Sequence, residues 1–169
     1  MKLTWFGGKT LRIHIGGEIL VCDADGAPGH IDRHELLSGA DRAFAMSGGG
    51  PAIDAARWQP RRPAALIDEA KRPEVLVHEI GSSSVLVDAV GEPPLLLLTA
   101  SVSAGRWGRD AVVVAFAGDV ADGMLRDLSP RLMALAMSEP DADAAISRLR
   151  DRLGSTALVA LEPGMALEV

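Results

Sequence analysis

The chain has 169 residues, 48% of them hydrophobic and 24% charged, a size and balance at which one globular domain is expected over residues 1–169. With 17 basic against 23 acidic residues the net charge is −6, which repels phosphate backbones and anionic lipid surfaces, so neither nucleic acid nor membrane is an expected partner. The single cysteine, Cys22, permits no intrachain disulfide, and together with a strand-like rather than apolar-leader N-terminus it points to the cytoplasm.

Leu3–Phe6, Leu11–Ile15 and Ile19–Cys22 are short β-prone runs separated by Gly7-Gly8 and Gly16-Gly17, a spacing that predicts an antiparallel meander. Alternation in the second run places Arg12 and His14 on one face and Leu11, Ile13 and Ile15 on the other. Ile31–Leu37 reads as a short helix, with Asp32 at its start and Gly39 as its stop. A strand over Ala40–Met46 then empties into Ser47-Gly48-Gly49-Gly50, and Pro51–Trp58 is expected to be a helix with Pro51 at its first position. Gln59–Pro73, rich in proline and arginine, is expected to be a surface loop.

A second β-rich block follows. Val75–Ile80, Ser84–Val90, Pro94–Ala100 and Ala111–Ala117 read as strands, and the unbroken apolar runs among them suit strands covered on both faces. Strands are also expected at Leu132–Met137, Thr156–Leu161 and Met165–Val169. Between the first two of these, Asp141–Leu153 carries Ala142, Ala145, Ile146, Leu149 and Leu153 on one stripe of a helix, with Pro140 before it and Gly154 after it.

Several residues could carry chemistry. The Ser47–Gly50 loop offers an anion-binding nest of backbone N–H groups, reinforced by the expected helix at Pro51. His30 and His34 would share a helical face, with Asp23 and Asp25 just upstream as further metal ligands; the plainer alternative is a polar helix start. His14 and His78 read as sheet histidines, and Ser82-Ser83-Ser84 reads as a turn because no nucleophile elbow surrounds it. Gly7-Gly8-Lys9-Thr10 lacks the first glycine of a phosphate-binding loop and reads as a hairpin turn. Cys22, beside Asp23, reads as a packed thiol. Aromatic residues make up only 4% of the chain, which gives little support to a stacking site, while Trp107 in a Gly- and Arg-rich hairpin either meets a protein partner or covers a sheet edge.

The opening Met1-Lys2-Leu3-Thr4-Trp5-Phe6-Gly7, the hairpin from Ile13 to Leu20 and the run Val112–Asp119 resemble metallo-β-lactamase-fold hydrolases of the simple metal-dependent branch. The resemblance implies an α+β fold, an αββα four-layer sandwich of two mainly antiparallel sheets flanked by helices. In that family a Thr/Ser-His-x-His-x-Asp-His loop holds two metal ions. Here Ser47 matches the Thr/Ser, but Gly48, Gly50, Ala52 and Ile53 occupy the four ligand places. Asp119, in Gly118-Asp119, matches the bridging carboxylate, and Glu162 stands near the place of a late histidine.

The resemblance therefore implies a non-catalytic relative that binds no cofactor and serves as a binding or assembly module. One alternative is a hydrolase with a rebuilt mononuclear zinc site drawn from Asp119, Glu162, His30, His34, Asp23 and Asp25. Another is a structural subunit that pairs with itself, or with a protein partner, through a sheet edge or the Trp107 hairpin.

Overall fold

A computed structural model describes residues 1–62 and 74–169 of the chain. The N-terminal runs form β1 (Lys2–Gly7), β2 (Thr10–Ile15) and β3 (Glu18–Cys22), an antiparallel meander in which Leu3 pairs with Ile13 and Ile13 with Leu20. Both Gly-Gly turns need their glycines, because Gly7, Gly8, Gly16 and Gly17 all hold positive φ. α1 (Arg33–Leu37) follows; the Asp32 carboxylate caps it by accepting from the N–H groups of His34 at 2.7 Å and Glu35 at 3.2 Å. β4 (Arg42–Phe44) lies parallel beside β3 and is shorter than the Ala40–Met46 expected.

The second sheet contains β5 (Leu76–Glu79), β6 (Val85–Asp88), β7 (Leu95–Leu98), β8 (Val112–Ala115), β9 (Leu132–Leu135) and β10 (Ala157–Ala160). Their order across the sheet is β10-β9-β8-β7-β6-β5. The terminal β11 (Ala166–Glu168) crosses back to pair with β1, giving the first sheet the order β11-β1-β2-β3-β4.

The expectation of two mainly antiparallel sheets holds for the first and fails for the second. β5, β6 and β7 are antiparallel neighbours, but β7–β8, β8–β9 and β9–β10 are all parallel pairs. The reason lies in two crossover helices, of which the sequence pattern predicts only the second. α2 (Gly118–Leu128) carries the chain back from β8 to β9, and α3 (Glu139–Leu149) does the same from β9 to β10; such crossovers are what parallel pairing requires. Two glycines and three aspartates lower the intrinsic helix propensity of α2. Packing overrides it: Val120, Ala121, Met124, Leu125 and Leu128 are all buried. The glycines sit where α2 is approached most closely. A Cβ on Gly118 would lie 2.5 Å from the Arg148 guanidinium, and one on Gly123 would overlap the Ser101 hydroxyl.

α3 begins at Glu139, two residues before the expected start, because the Ser138 hydroxyl accepts from the Asp141 N–H and Pro140 is accommodated in the first turn. Its apolar stripe faces inward as the periodicity predicts, with Ala142, Ala145 and Leu149 buried. The last turn, Arg150–Arg152, tightens to 3₁₀ geometry.

Three apolar clusters set the layering. Leu3, Leu11, Ile13 and Leu20 of the first sheet meet Val85, Leu95, Leu97, Val112 and Val114 of the second, so the sheets pack face to face. The other face of the second sheet, through Leu86, Leu96, Leu98, Val113 and Met133, packs on α2 and α3. Val21 and Ala24 pack on Leu36 of α1, outside the first sheet. With β6, β7 and β8 buried along their whole length, each Leu or Val there contributes about 1.5–3 kcal/mol relative to exposure. The chain is thus an α+β sandwich of two mixed sheets with a few helices outside. Among the described residues no helix is long and apolar enough to cross a membrane. Most of the Gln59–Pro73 loop expectation lies outside the described residues.

Candidate functional site at the strand ends

The parallel arrangement gives the second sheet a defined edge at which β5, β7, β8, β9 and β10 all end. In sheets built this way the carboxyl ends of the strands are the usual location of a ligand site. The Ser47–Gly50 loop reaches this edge. Ser47 Oγ lies 2.7 Å from Ser83 Oγ; the Thr99 hydroxyl donates to the Ser83 carbonyl at 2.8 Å, and the Thr99 N–H donates to Ser84 Oγ at 3.2 Å. The three serines at 82–84 are therefore a turn and a bracket, as expected. Among the described residues no base hydrogen-bonds to any of them.

Beyond Ser47 the loop is closed by backbone contact. A Cβ on Gly50 would overlap the Val77 carbonyl oxygen and lie 2.8 Å from its carbon, and a Cβ on Gly49 would overlap the Ala45 carbonyl oxygen. Gly48, at φ +71°, is the one loop residue whose Cβ position meets nothing within 4 Å. The expected helix over Pro51–Trp58 does not form. The open edge of β5 takes up this segment instead: the Glu79 N–H donates to the Pro51 carbonyl, and the Ile53 N–H donates to the Glu79 carbonyl, each at 3.0 Å. With no helix starting at Pro51, the loop lacks the dipole expected to reinforce it, so half of the anion-nest expectation is lost.

Where a hydrolase of the resembled family would keep polar ligands, the strand ends are apolar. Met46, Phe116 and Leu161 extend the cluster between the sheets, together with Trp5 and Phe44. The carboxylates of this edge stand outside it. Asp119 is exposed in the first turn of α2, and Glu162 is exposed after β10. Glu162 lines a cleft of about 670 Å³ with Trp5, Ser138, Glu139 and Asp143.

The remaining candidates belong to the α1 side of the first sheet. Asp23 adopts left-handed φ; its carbonyl accepts from the Thr10 hydroxyl at 3.0 Å. Asp25 is paired with Arg33 at 2.5 Å. His34 lies within α1, but His30 precedes the Asp32 cap, so the two imidazoles do not share a helical face as expected. Among the described residues no group of three His, Cys, Asp or Glu side chains gathers as a metal ion would need. A two-metal hydrolytic centre does not fit the donor set of Ser47, Asp119 and Glu162 at the strand ends.

No family model, curated protein or solved structure matches the chain.

Chemistry that the sequence reading missed lies toward the opposite end of the second sheet. Asp88, at the end of β6, is 2% exposed and is paired with the Arg61 Nε–H. Arg61 Nη2 also donates to the carbonyls of Glu74 at 2.7 Å and Asp88 at 3.0 Å. Next to this pair, burial pushes the His78 imidazole pKa down; the Asp88 charge opposes that shift and the Arg61 charge adds to it. His78 Nδ1 is buried with no hydrogen-bond partner among the described residues. The signal available in the sequence was one acid, Asp88, closing the apolar run Val85-Leu86-Val87.

Trp107 does not sit in an exposed hairpin. It is buried in a 3₁₀ turn, Arg106–Asp110, and its Nε1–H donates to the Ala55 carbonyl at 3.1 Å. Of its two readings the covering one holds, although what it covers is the outer face of the second sheet. Cys22 is fully buried, and burial together with the Asp23 charge pushes its thiol pKa up, as expected of a packed residue. His14 alternates outward with Arg12, whose guanidinium holds the carbonyls of Leu36 at 2.6 Å and Ser38 at 2.8 Å and so ties α1 to the sheet.

Proposed function

We propose that the chain is a metallo-β-lactamase-like αββα domain acting as a non-catalytic binding or assembly module. The observation that carries this reading is the Ser47–Gly50 loop. In the resembled hydrolases the corresponding turn presents imidazoles and a carboxylate; here its glycines are in backbone contact with Ala45 and Val77, so a side chain at Gly49 or Gly50 would collide with main chain. Hydrolysis by a metal-bound hydroxide requires an ion that lowers the pKa of its water, and that ion requires ligands. Ser47 is engaged with Ser83, and Asp119 and Glu162 are solvent-exposed carboxylates on separate elements. Glu139, Asp143 and Glu162 give the neighbouring cleft a negative lining, which favours a basic group on whatever the module holds.

Elemental analysis of untagged protein, paired with phosphodiesterase and esterase assays, tests the proposal. The expected result is less than stoichiometric zinc or manganese and no turnover above buffer. Stoichiometric metal, with turnover abolished by Asp119→Ala, would refute it.

A further inference from the structure

A second cleft, of about 640 Å³, opens on the far side of the second sheet, where Trp58 and four arginines line it: Arg57, Arg61, Arg62 and Arg106. Its volume lies in the range of small-molecule sites. The aromatic wall is rigid. Trp58 packs edge-to-face on Trp107, with ring centroids 4.7 Å apart and planes at 77°, and Trp107 is itself fixed through its hydrogen bond to Ala55. Gly105 keeps that wall flush, since a Cβ there would come within 3.0 Å of the Trp107 ring and 3.1 Å of the Ala56 carbonyl oxygen.

The charges are sorted. Arg57 is paired with Asp54 at 3.4 Å, and Arg61 is held by buried Asp88. Among the described residues Arg62 and Arg106 form no ion pair, and Asp110 is the one acid in the lining. On a molecule of net charge −6, this is a local cationic site against an indole. Guanidinium forks match the oxygens of a phosphate bidentately, and a planar ring is what an indole wall accepts.

We propose that this cleft binds a small phosphate ester bearing a planar ring, with the ring against Trp58 and the phosphate between Arg62 and Arg106. The ring contact runs against the scarcity of aromatics in the composition, because two of the three tryptophans are spent on this one wall. The site is separate from the strand-end loop, and nothing in it depends on whether that loop once held metal.

The probe is AMP, titrated against the full chain at low ionic strength and followed by tryptophan fluorescence and by calorimetry. Saturable binding with Kd below about 1 mM is expected, at least about tenfold tighter than for adenosine or inorganic phosphate separately. The double variant Arg62→Ala/Arg106→Ala replaces two exposed arginines and is expected to keep the wild-type melting temperature. It should weaken AMP binding by about tenfold or more. Trp58→Leu should weaken AMP while leaving inorganic phosphate unchanged, which separates loss of the ring contact from loss of charge. Failure of AMP to saturate by 5 to 10 mM (roughly ten times the expected ceiling) would overturn the proposal. So would wild-type affinity in the arginine double variant, phosphate binding as tight as AMP, or loss of AMP binding on Glu162→Ala instead.

Discussion

The two ends of the second sheet solve opposite problems with the same backbone. At the carboxyl ends of its parallel strands the chain uses residues with small or no side chains, Ser47 to Gly50 and Ser82 to Ser84, and lets main chain touch main chain. At the other end it uses large charged and aromatic side chains, Arg61 on Asp88 and Trp58 on Trp107, to cover the sheet from outside. At the first end the hydroxyls bond to one another or to main chain and the carboxylates Asp119 and Glu162 stand exposed; at the second, Asp88 and Trp107 are held in place by burial. The contrast follows a general rule: side chains, and not strand order, decide what chemistry an end of a sheet can hold.

The comparison breaks most sharply at Gly50. Replacing it by alanine puts a methyl group into the Val77 carbonyl, an overpacking contact that β5 can relieve only by moving away from the loop. A loss of about 3 kcal/mol is expected, seen as a fall in melting temperature of roughly 6 to 12 °C for a chain of this size. Gly50→His should be worse still and should not restore metal binding. A stable Gly50→His variant with stoichiometric zinc would show that the strand-end loop is an open site after all. Asp88→Asn comes next. It leaves Arg61 without its charge partner, but Arg61 is about one-third exposed (32%) and can turn to water, so about 2 kcal/mol is expected from urea denaturation rather than the larger loss of a fully buried pair. Smaller again is Trp107→Phe, which keeps an aromatic ring but loses the indole N–H and leaves the Ala55 carbonyl without its donor; at least about 1 kcal/mol of stability should go, together with some of the Trp58 fluorescence environment.

The first sheet was legible because each of its signals was local. The Gly-Gly turns, the alternation through Arg12 and His14, and the Asp32 cap all act within a few residues, and all appear where the sequence places them. The second sheet was legible strand by strand but not in its pairing. Leu95–Leu98 and Val112–Ala115 announce burial without announcing direction, and direction was set by α2, whose apolar stripe at Val120, Met124, Leu125 and Leu128 is accompanied by glycines, which are poor helix formers. Those glycines are explained only by partners distant in sequence, Ser101 and Arg148. Pro51–Trp58 failed for a similar reason: a proline with helix-compatible neighbours was outbid by the unpaired edge of β5. Arg61, Asp88 and His78 were invisible as a group, since 27 residues separate the ion pair and no spacing rule connects its members.

His78 gives the smallest effect and the finest test of how the charged end works. Its pKa in the folded chain lies below the ordinary histidine value of about 6.5, chiefly because burial disfavours the imidazolium. As pH falls through that value the unfolded chain takes up the proton first, so stability is complete above about pH 6.5 and declines until the folded pKa is passed. His14, whose pKa is also lowered by burial and by the charges of Arg12 and Lys2, contributes a slope of the same sign. Urea midpoints measured from pH 8 to pH 5.5 should therefore fall for the wild type and fall less, though not to zero, for His78→Phe. Asp88→Asn removes the charge that holds the His78 pKa up, so in that background the slope should persist to lower pH. Equal slopes in wild type and His78→Phe would mean that the imidazole is hydrated in the native state, and that the charged end is less tightly closed than its buried Nδ1 indicates.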